Sequence, residues 1–129
     1  MDRSLLAFDF GLVRIGVATG NTVTGSAAPL GIIEAERKAE RWAAIDALVQ
    51  TWQPDAFVVG VPRFGDGVAN ERTALCERFA RQLGARYRRP AHLVDERFSS
   101  VVVENGRERI DHLSAAVILQ QFFDEAGAS

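Results

Sequence analysis

The 129-residue sequence has one cysteine, Cys76, four prolines and no long uninterrupted apolar run. A single cysteine excludes an internal disulfide and leaves too few thiolates for a cysteine-based zinc site. No apolar stretch reaches the roughly 18 residues of a membrane span, and the start of the chain lacks the basic segment of a signal peptide. We therefore expect a protein of the reducing cytoplasm, and the secreted, membrane and disulfide-scaffold classes are excluded.

Lysine is almost absent, since Lys38 is the only lysine among 15 basic residues. The planar guanidinium of arginine suits paired contacts with phosphate or carboxylate groups, although a GC-rich genome also produces arginine-rich chains. The formal net charge is −2, which argues against a general electrostatic grip on nucleic acid. Charge balance alone leaves the partner open.

The apolar pattern predicts one α/β domain over residues 1–129, with the order β-β-β-α-β-α-β-α. The first three strands follow each other too closely for crossover helices, so we expect them to be antiparallel. The later elements form βαβ units, which gives a mixed sheet with helices on both faces. The predicted strands are 5–9, 14–19, 28–33, 56–60 and 91–94, the predicted helices are 42–52, 75–87 and 113–123, and 98–106 is left unassigned.

Acidic residues occur where three of these elements begin or end. Asp9 ends the first strand, Asp95 and Glu96 follow the last strand, and Asp111 precedes the final helix. If the first and last strands lie near the sheet centre, these side chains converge on one edge, where ligands of α/β sheets usually bind. Taken singly, Asp9 could simply terminate a strand, Asp95 and Glu96 could pair locally with Arg97, and Asp111 could cap a helix.

Taken together, the carboxylates suit Mg²⁺ or Mn²⁺, because hard cations prefer oxygen ligands and the chain lacks clustered histidine and cysteine. Two such ions about 3.5–4 Å apart can activate water and stabilise the leaving oxygen of a phosphodiester. Gly16 and Ala18 on the neighbouring strand are small enough to let a phosphate backbone approach, or a helix pack tightly.

Several short runs, in order along the chain, resemble the motifs of the YqgF/RuvX family. They are FDFG at 8–11, RIGVA at 14–18, VGVP at 59–62 with DG at 66–67, DER at 95–97, and Asp111 with AA at 115–116. Members of this family are described as Holliday-junction-resolvase-like nucleases and as nucleases of pre-16S rRNA. The resemblance implies an RNase H-like fold with a five-stranded mixed sheet in the order 3-2-1-4-5.

By the same resemblance, Asp9, Glu96 and Asp111 are the expected catalytic, metal-binding carboxylates. Asp95 either supports Glu96 or competes with it for the metal, and the sequence does not decide between these roles. The motifs further suggest substrate contacts by Arg14 and Arg97. Asp66 and Gly67 are expected either to contact substrate or to form a plain turn.

The chain departs from the family pattern in three places. Leu12 and Val13 follow Gly11, where polar residues are common in the family. Ser99 and Ser100 replace a usual pair of threonines. Only 13 residues separate Arg97 from Asp111, and this short segment puts substrate grip and metal affinity in question.

The function predicted from these features is metal-dependent hydrolysis of a phosphodiester. The resemblance implies processing of the 5′ end of the 16S rRNA precursor as the first expected activity and cleavage of branched DNA as the second, and association of the protein with the ribosome stays open. Resolving a junction favours a symmetric dimer, whereas trimming a precursor is possible for a monomer, so the oligomeric state stays open. A non-catalytic nucleic-acid or ribosome-assembly module is the main alternative, and a relative of the sugar-kinase ATPases is a remote one.

The second predicted helix and the residues after it carry five arginines that could contact phosphates: Arg78, Arg81, Arg86, Arg88 and Arg89. A solvated helix face is the simpler interpretation of this pattern. The two differ in salt dependence, since phosphate contacts weaken steeply as salt rises.

Overall fold

The computed structural model describes residues 4–11, 13–34, 36–61, 71–95 and 112–127, and these residues form five strands and three helices. The elements are β1 (Ser4–Phe10), β2 (Arg14–Asn21), β3 (Ser26–Glu34), α1 (Lys38–Trp52), β4 (Ala56–Val61), α2 (Glu71–Tyr87), β5 (Ala91–Asp95) and α3 (His112–Gly127). Their order is the predicted one. Each element is longer than its apolar run, because polar residues at element ends continue the backbone pairing. The unassigned segment 98–106 lies outside the described residues.

The strands form one sheet in the order β3-β2-β1-β4-β5, which confirms the predicted order. β1 pairs antiparallel with β2, and β2 pairs antiparallel with β3, as expected for strands joined by short connections. β1 and β5 both pair parallel with β4. The carboxyl ends of β1, β4 and β5 therefore meet at the same edge of the sheet, which we call the carboxyl edge.

Convergence of the acidic residues was expected if the first and last strands both lie near the sheet centre. This is correct for β1 and wrong for β5, which is an edge strand. Only β4 separates the two, so their backbones are about 10 Å apart at a spacing of roughly 4.8 Å per strand. Long side chains at the two strand ends can still meet over that gap.

One face of the sheet packs against α1 and α2 through phenylalanine rings. Phe8 contacts Phe79 edge-on, with ring centroids 5.6 Å apart, and Phe10 stacks on Phe79 at 4.5 Å. Phe57 and Leu83 are also fully buried in this cluster. These contacts anchor α2 on the central strands and fix the position of β1 beneath it.

The opposite face of the sheet packs against α3 through small residues. Ala7, Ala18 and Ala115 are completely buried there, together with Ile118 and Leu119 of the helix. Small side chains allow the helix to approach the sheet closely. For Ala18, the structure therefore favours tight helix packing over room for a phosphate backbone.

The second half of α3 lies over the start of β1, which sets the direction of the helix. The Gln120 amide donates to the Gly25 carbonyl oxygen at 2.9 Å and accepts from the Ala27 N–H at 3.3 Å, at the β2–β3 turn. Gly20, which is paired with Leu5 near the start of β1, lies against this half of the helix. The first turn of α3 is therefore directed toward the carboxyl edge.

No helix within the described residues is long and apolar enough to cross a membrane. The longest, α2, has 17 residues and contains six charged side chains besides its buried apolar ones.

An ion pair joins α1 to α2. Arg86 donates two hydrogen bonds to the Asp46 carboxylate, at 3.0 and 2.8 Å, and the Tyr87 hydroxyl donates to the same group. The Arg86 guanidinium also lies over the Trp42 ring, 5.1 Å from its centroid. The hydrogen bonds from Arg86, followed by that from Tyr87, lower the pKa of Asp46 from 3.8 to about 2, and burial raises the pKa of Tyr87.

This ion pair predicts a pH-dependent contribution to stability. Because the folded-state pKa of Asp46 is depressed, its contribution is complete above about pH 4 and is lost as the pH falls through about 2. We expect Asp46→Asn to lose about 1 kcal/mol of unfolding free energy at pH 7, since the pair is half exposed. Urea denaturation of both proteins at pH 7, 5, 4 and 3 should show the difference shrinking below pH 4. A difference that stays constant down to pH 3 would contradict the assignment.

Candidate active site

Asp9 is the buried carboxylate of the carboxyl edge. It lies one residue before the end of β1, its side chain is 5% exposed, and it pairs across the ladder with Gly16 of β2. On the other side, Phe8 is level with Val59 of β4, so Asp9 lies level with Gly60. A carboxylate is buried at low cost only where hydrogen bonds, ion pairs or a bound cation compensate for the lost water.

Strand alternation decides which face of the sheet each side chain occupies. Leu5 and Ala7 pack in the α3 cluster, so Asp9 points to the α3 face. On β5, Val94 belongs to the same α3 cluster, whereas Leu93 and Ala91 line a groove beside α2. On β5, Val94 therefore faces α3, whereas Ala91 and Leu93 face the α2 side of the sheet.

Asp95 follows Leu93 in that alternation and lies on the α2 face, opposite to the face that carries Asp9. The structure therefore does not bring the Asp95 carboxylate beside Asp9, although both residues are at the carboxyl edge. Glu96, the next residue along the chain, lies outside the described residues. The facing of Asp95 therefore argues against this residue as a metal ligand beside Asp9.

Gln121 holds the end of β5 against α3. Its side-chain amide donates to the Asp95 carbonyl oxygen at 2.8 Å. This residue could not be identified from the sequence, because a single glutamine in a helix carries no pattern that marks its partner. The contact needs the sheet order and the direction of α3 before it can be predicted.

Arg14 begins β2 at the carboxyl edge. Gly16 and Ala18 alternate with the buried Ile15 and Val17, so Arg14 is on the α3 face, two residues from the partner of Asp9. Diagonal neighbours across antiparallel strands are roughly 7–8 Å apart. The Arg14 Nε is 3.8 Å from the Glu34 Oε1, and both side chains are more than half exposed. This loose pair leaves the guanidinium accessible to a phosphate.

The other predicted site residues lie outside the described part of the chain: Glu96, Arg97, Asp111, Asp66 and Gly67. Two of them are next to described elements, since Glu96 directly follows β5 and Asp111 directly precedes α3. Both neighbouring element ends are at the carboxyl edge or directed toward it. Among the described residues alone, there is no group of three potential metal ligands.

Asp9, the described member of the predicted ligand set, fits a hard divalent cation. Asp9 offers a buried carboxylate on the α3 face, and the two sequence positions predicted to complete the set, 96 and 111, are also carboxylates. Oxygen ligands of this kind select Mg²⁺ or Mn²⁺ over zinc. Nearby Phe10 and Ile15 are buried on the other face, so the sheet provides a rigid support for Asp9.

Comparisons with known proteins agree with this architecture. The model of the RuvX family, described as Holliday junction resolvase, matches residues 3–125. A protein of Paraburkholderia phymatum named "Putative pre-16S rRNA nuclease" is 43% identical over 130 residues, covering 95% of this chain and 86% of its own. A protein of Thiobacillus denitrificans with the same name is 42% identical, covering 94% and 91%.

Among solved structures, RuvC of T. thermophilus in complex with a Holliday junction substrate superposes with a TM-score of 0.61. The match covers 97% of this chain and 96% of the RuvC chain at 12% sequence identity. At that identity, the similarity concerns the fold, and it confirms the RNase H-like architecture that the strand order indicates.

Proposed function

The chain belongs to the RuvX family, and from this premise we propose that it is a divalent-metal-dependent nuclease that trims the 5′ end of the 16S rRNA precursor in the cytoplasm. The observation that carries the proposal is the position of Asp9. It is a buried carboxylate at the carboxyl edge, on the face toward which the first turn of α3 is directed. Two further acidic residues, Glu96 and Asp111, directly adjoin the neighbouring element ends.

In this proposal, Asp9, Glu96 and Asp111 hold Mg²⁺ or Mn²⁺. When bound, the cation supplies activation of water and stabilisation of the charge that develops on the leaving oxygen. Asp9 contributes a ligand that the sheet holds rigidly, which keeps the reacting groups in register. Gln121 keeps the end of β5 against α3 through its bond to the Asp95 carbonyl oxygen.

Arg14 and Arg97 are proposed to contact the substrate phosphates. Arg14 is exposed on the same face as Asp9, and a guanidinium can donate two parallel hydrogen bonds to a phosphate. Asp66 and Gly67 are proposed contacts from the connection between β4 and α2. We propose that the domain covers the whole of residues 1–129 and acts as a monomer, since one cleavage at one strand end needs one active site.

A direct experiment offers two substrates to the same preparation. One is a 16S rRNA precursor with its 5′ extension, and the other is a four-way DNA junction, each with Mg²⁺, with Mn²⁺ and with EDTA. We expect cleavage of the RNA near the mature 5′ end with either cation and none with EDTA. Isothermal titration of Mn²⁺ into the protein gives a second readout that does not depend on substrate choice.

Each outcome separates one part of the proposal from the rest. Cleavage of the junction but not of the RNA would keep the nuclease and overturn the substrate. Mn²⁺ binding without cleavage of either substrate would direct the search to other RNAs. Absence of both binding and cleavage would overturn the nuclease and favour a nucleic-acid-binding module with this fold.

A further inference from the structure

The positive charge of the chain is concentrated on α2 and the three residues that follow it. Residues 71–90 contain six arginines and two glutamates, whereas the other 109 residues contain nine basic and fifteen acidic side chains. The chain therefore has one strongly basic segment and is acidic elsewhere, despite its overall net charge of −2. Such separation of charge creates a local field that a net value conceals.

Only some of these arginines are available to a partner. Arg86 is held by Asp46, and Arg72 is also engaged within the fold. Arg78, Arg81 and Arg88 are exposed, and none of the three makes an ion pair with a described residue. We call these three residues the α2 arginine surface.

Within the α2 arginine surface, Arg81 lies on the β5 side of the helix. Arg78 and Arg81 are three residues apart, so their side chains leave the same face of the helix. Arg81 lines an open groove of about 380 Å³ between α2 and β5, together with Glu77, Gly84, Ala85 and the half-exposed Leu93, and Glu77 is itself engaged within the fold. Small residues at the groove let a polymer backbone come close to the helix.

We propose that the α2 arginine surface binds RNA backbone phosphates away from the scissile bond. The choice of RNA as the partner rests on the proposed function. α2 begins after the connection that leaves the carboxyl edge at Val61, and its axis runs back alongside β5. An RNA strand cut at the carboxyl edge can therefore continue past the end of β5 and along this surface. Arg78 and Arg88 are ten positions apart, and the helical part from Arg78 to Tyr87 alone extends over roughly 14 Å at about 1.5 Å per residue, which is long enough for two or three phosphates.

Arginine suits this task better than lysine, because its planar fork pairs with two phosphate oxygens at once. The basic surface also explains how a chain of net negative charge would retain a polyanion. An acidic protein is the competing partner. Its carboxylates do not follow the spacing of a phosphate backbone, so parallel binding experiments with a glutamate peptide and with RNA distinguish the two.

The test compares two double variants that lose the same charge. Arg78→Gln/Arg81→Gln removes two members of the α2 arginine surface, and Arg37→Gln/Lys38→Gln removes two exposed cations near the start of α1. Fluorescence anisotropy with a labelled single-stranded 20-mer RNA in EDTA, between 50 and 300 mM KCl, gives the slope of log K against log salt. About 0.7 of slope per phosphate contact predicts a loss of about 1.4 for the first variant and none for the second.

An unchanged slope in Arg78→Gln/Arg81→Gln, equal losses in both variants, or no RNA binding by the wild type would each overturn the proposal. A ten-residue glutamate peptide tests for an acidic protein partner. The proposal is also overturned if this peptide binds the wild type, binds Arg78→Gln/Arg81→Gln more weakly, and does not compete with RNA for the wild type. Cleavage assays on the same proteins keep the two proposals apart. A wild type that binds RNA with the predicted slope but neither binds Mn²⁺ nor cleaves either substrate supports this surface and overturns the nuclease.

Discussion

Asp9→Asn is expected to lower metal-dependent cleavage by at least about a hundredfold while the domain stays folded. Loss of a partner that merely orients a metal ligand costs roughly 10–100-fold in affinity or activity, and loss of a ligand costs more. Asn has the same shape as Asp but carries no charge, so the packing around this buried position changes little. The measurement is the cleavage rate at saturating Mn²⁺, together with the Mn²⁺ affinity from calorimetry.

Asp95→Asn provides the matched control. It makes the same chemical change at the carboxyl edge, two strands away, on the opposite face of the sheet. We expect it to keep activity and Mn²⁺ affinity close to those of the wild type, because its carboxylate does not point toward Asp9. If both variants lose cleavage activity and Mn²⁺ affinity to the same extent, then the face of the sheet on which an acidic side chain lies does not decide whether it binds the cation.

A rate for Asp9→Asn close to that of the wild type would remove Asp9 from the reaction. Stability must be checked beside activity, since the buried carboxylate interacts within the fold. Urea denaturation of wild type and variant gives this check. A variant that unfolds at the wild-type midpoint and has lost cleavage and Mn²⁺ binding together supports the ligand role.

The sequence predicted the order and the type of every described element, because each buried face left a clear apolar pattern. It was less accurate at the element ends. α2 begins at Glu71 and not at Leu75, since its first turn buries Thr73, a residue without an apolar signal. β3 runs from Ser26 to Glu34 and is longer at both ends than the predicted 28–33. Its Pro29, already inside the predicted strand, is tolerated because one side of an edge strand needs no partner.

From the sequence, the acidic residues of the candidate site could be proposed, but the direction in which each side chain points could not. Asp9 could be identified from its place at the end of an apolar run. The opposite facing of Asp95 could not, because Leu93 and Val94 are both apolar and hide the alternation along β5. Contacts such as Arg86 with Asp46 join residues 40 positions apart, and they require the packing of two helices before they can be inferred.

Gly20→Ala is expected to be more destabilising than the same substitution at Gly25 or Gly84. A Cβ at this position would lie 2.6 Å from the Ser26 carbonyl oxygen and 2.9 Å from the Phe123 ring. The Ser26 oxygen belongs to the β2–β3 pairing, so it cannot move without distorting the ladder. Overpacking of this kind costs about 3 kcal/mol, which corresponds to a fall in Tm of roughly 10 °C for a domain of this size.

Gly25→Ala separates this contact from the conformational effect of glycine. Gly25 has a φ of 63°, yet a Cβ there meets nothing within 4 Å, so only the left-handed backbone is penalised, by about 1 kcal/mol. Adding Phe123→Leu to Gly20→Ala should not restore stability, because the closest atom is backbone and not the ring. If the double variant recovers the wild-type Tm, or if Gly20→Ala and Gly25→Ala lower the Tm equally, then the β2–β3 turn is not the rigid support against which α3 is fixed. In that case, the contacts of α3 with β1 and β4 must maintain the direction of the helix toward the carboxyl edge.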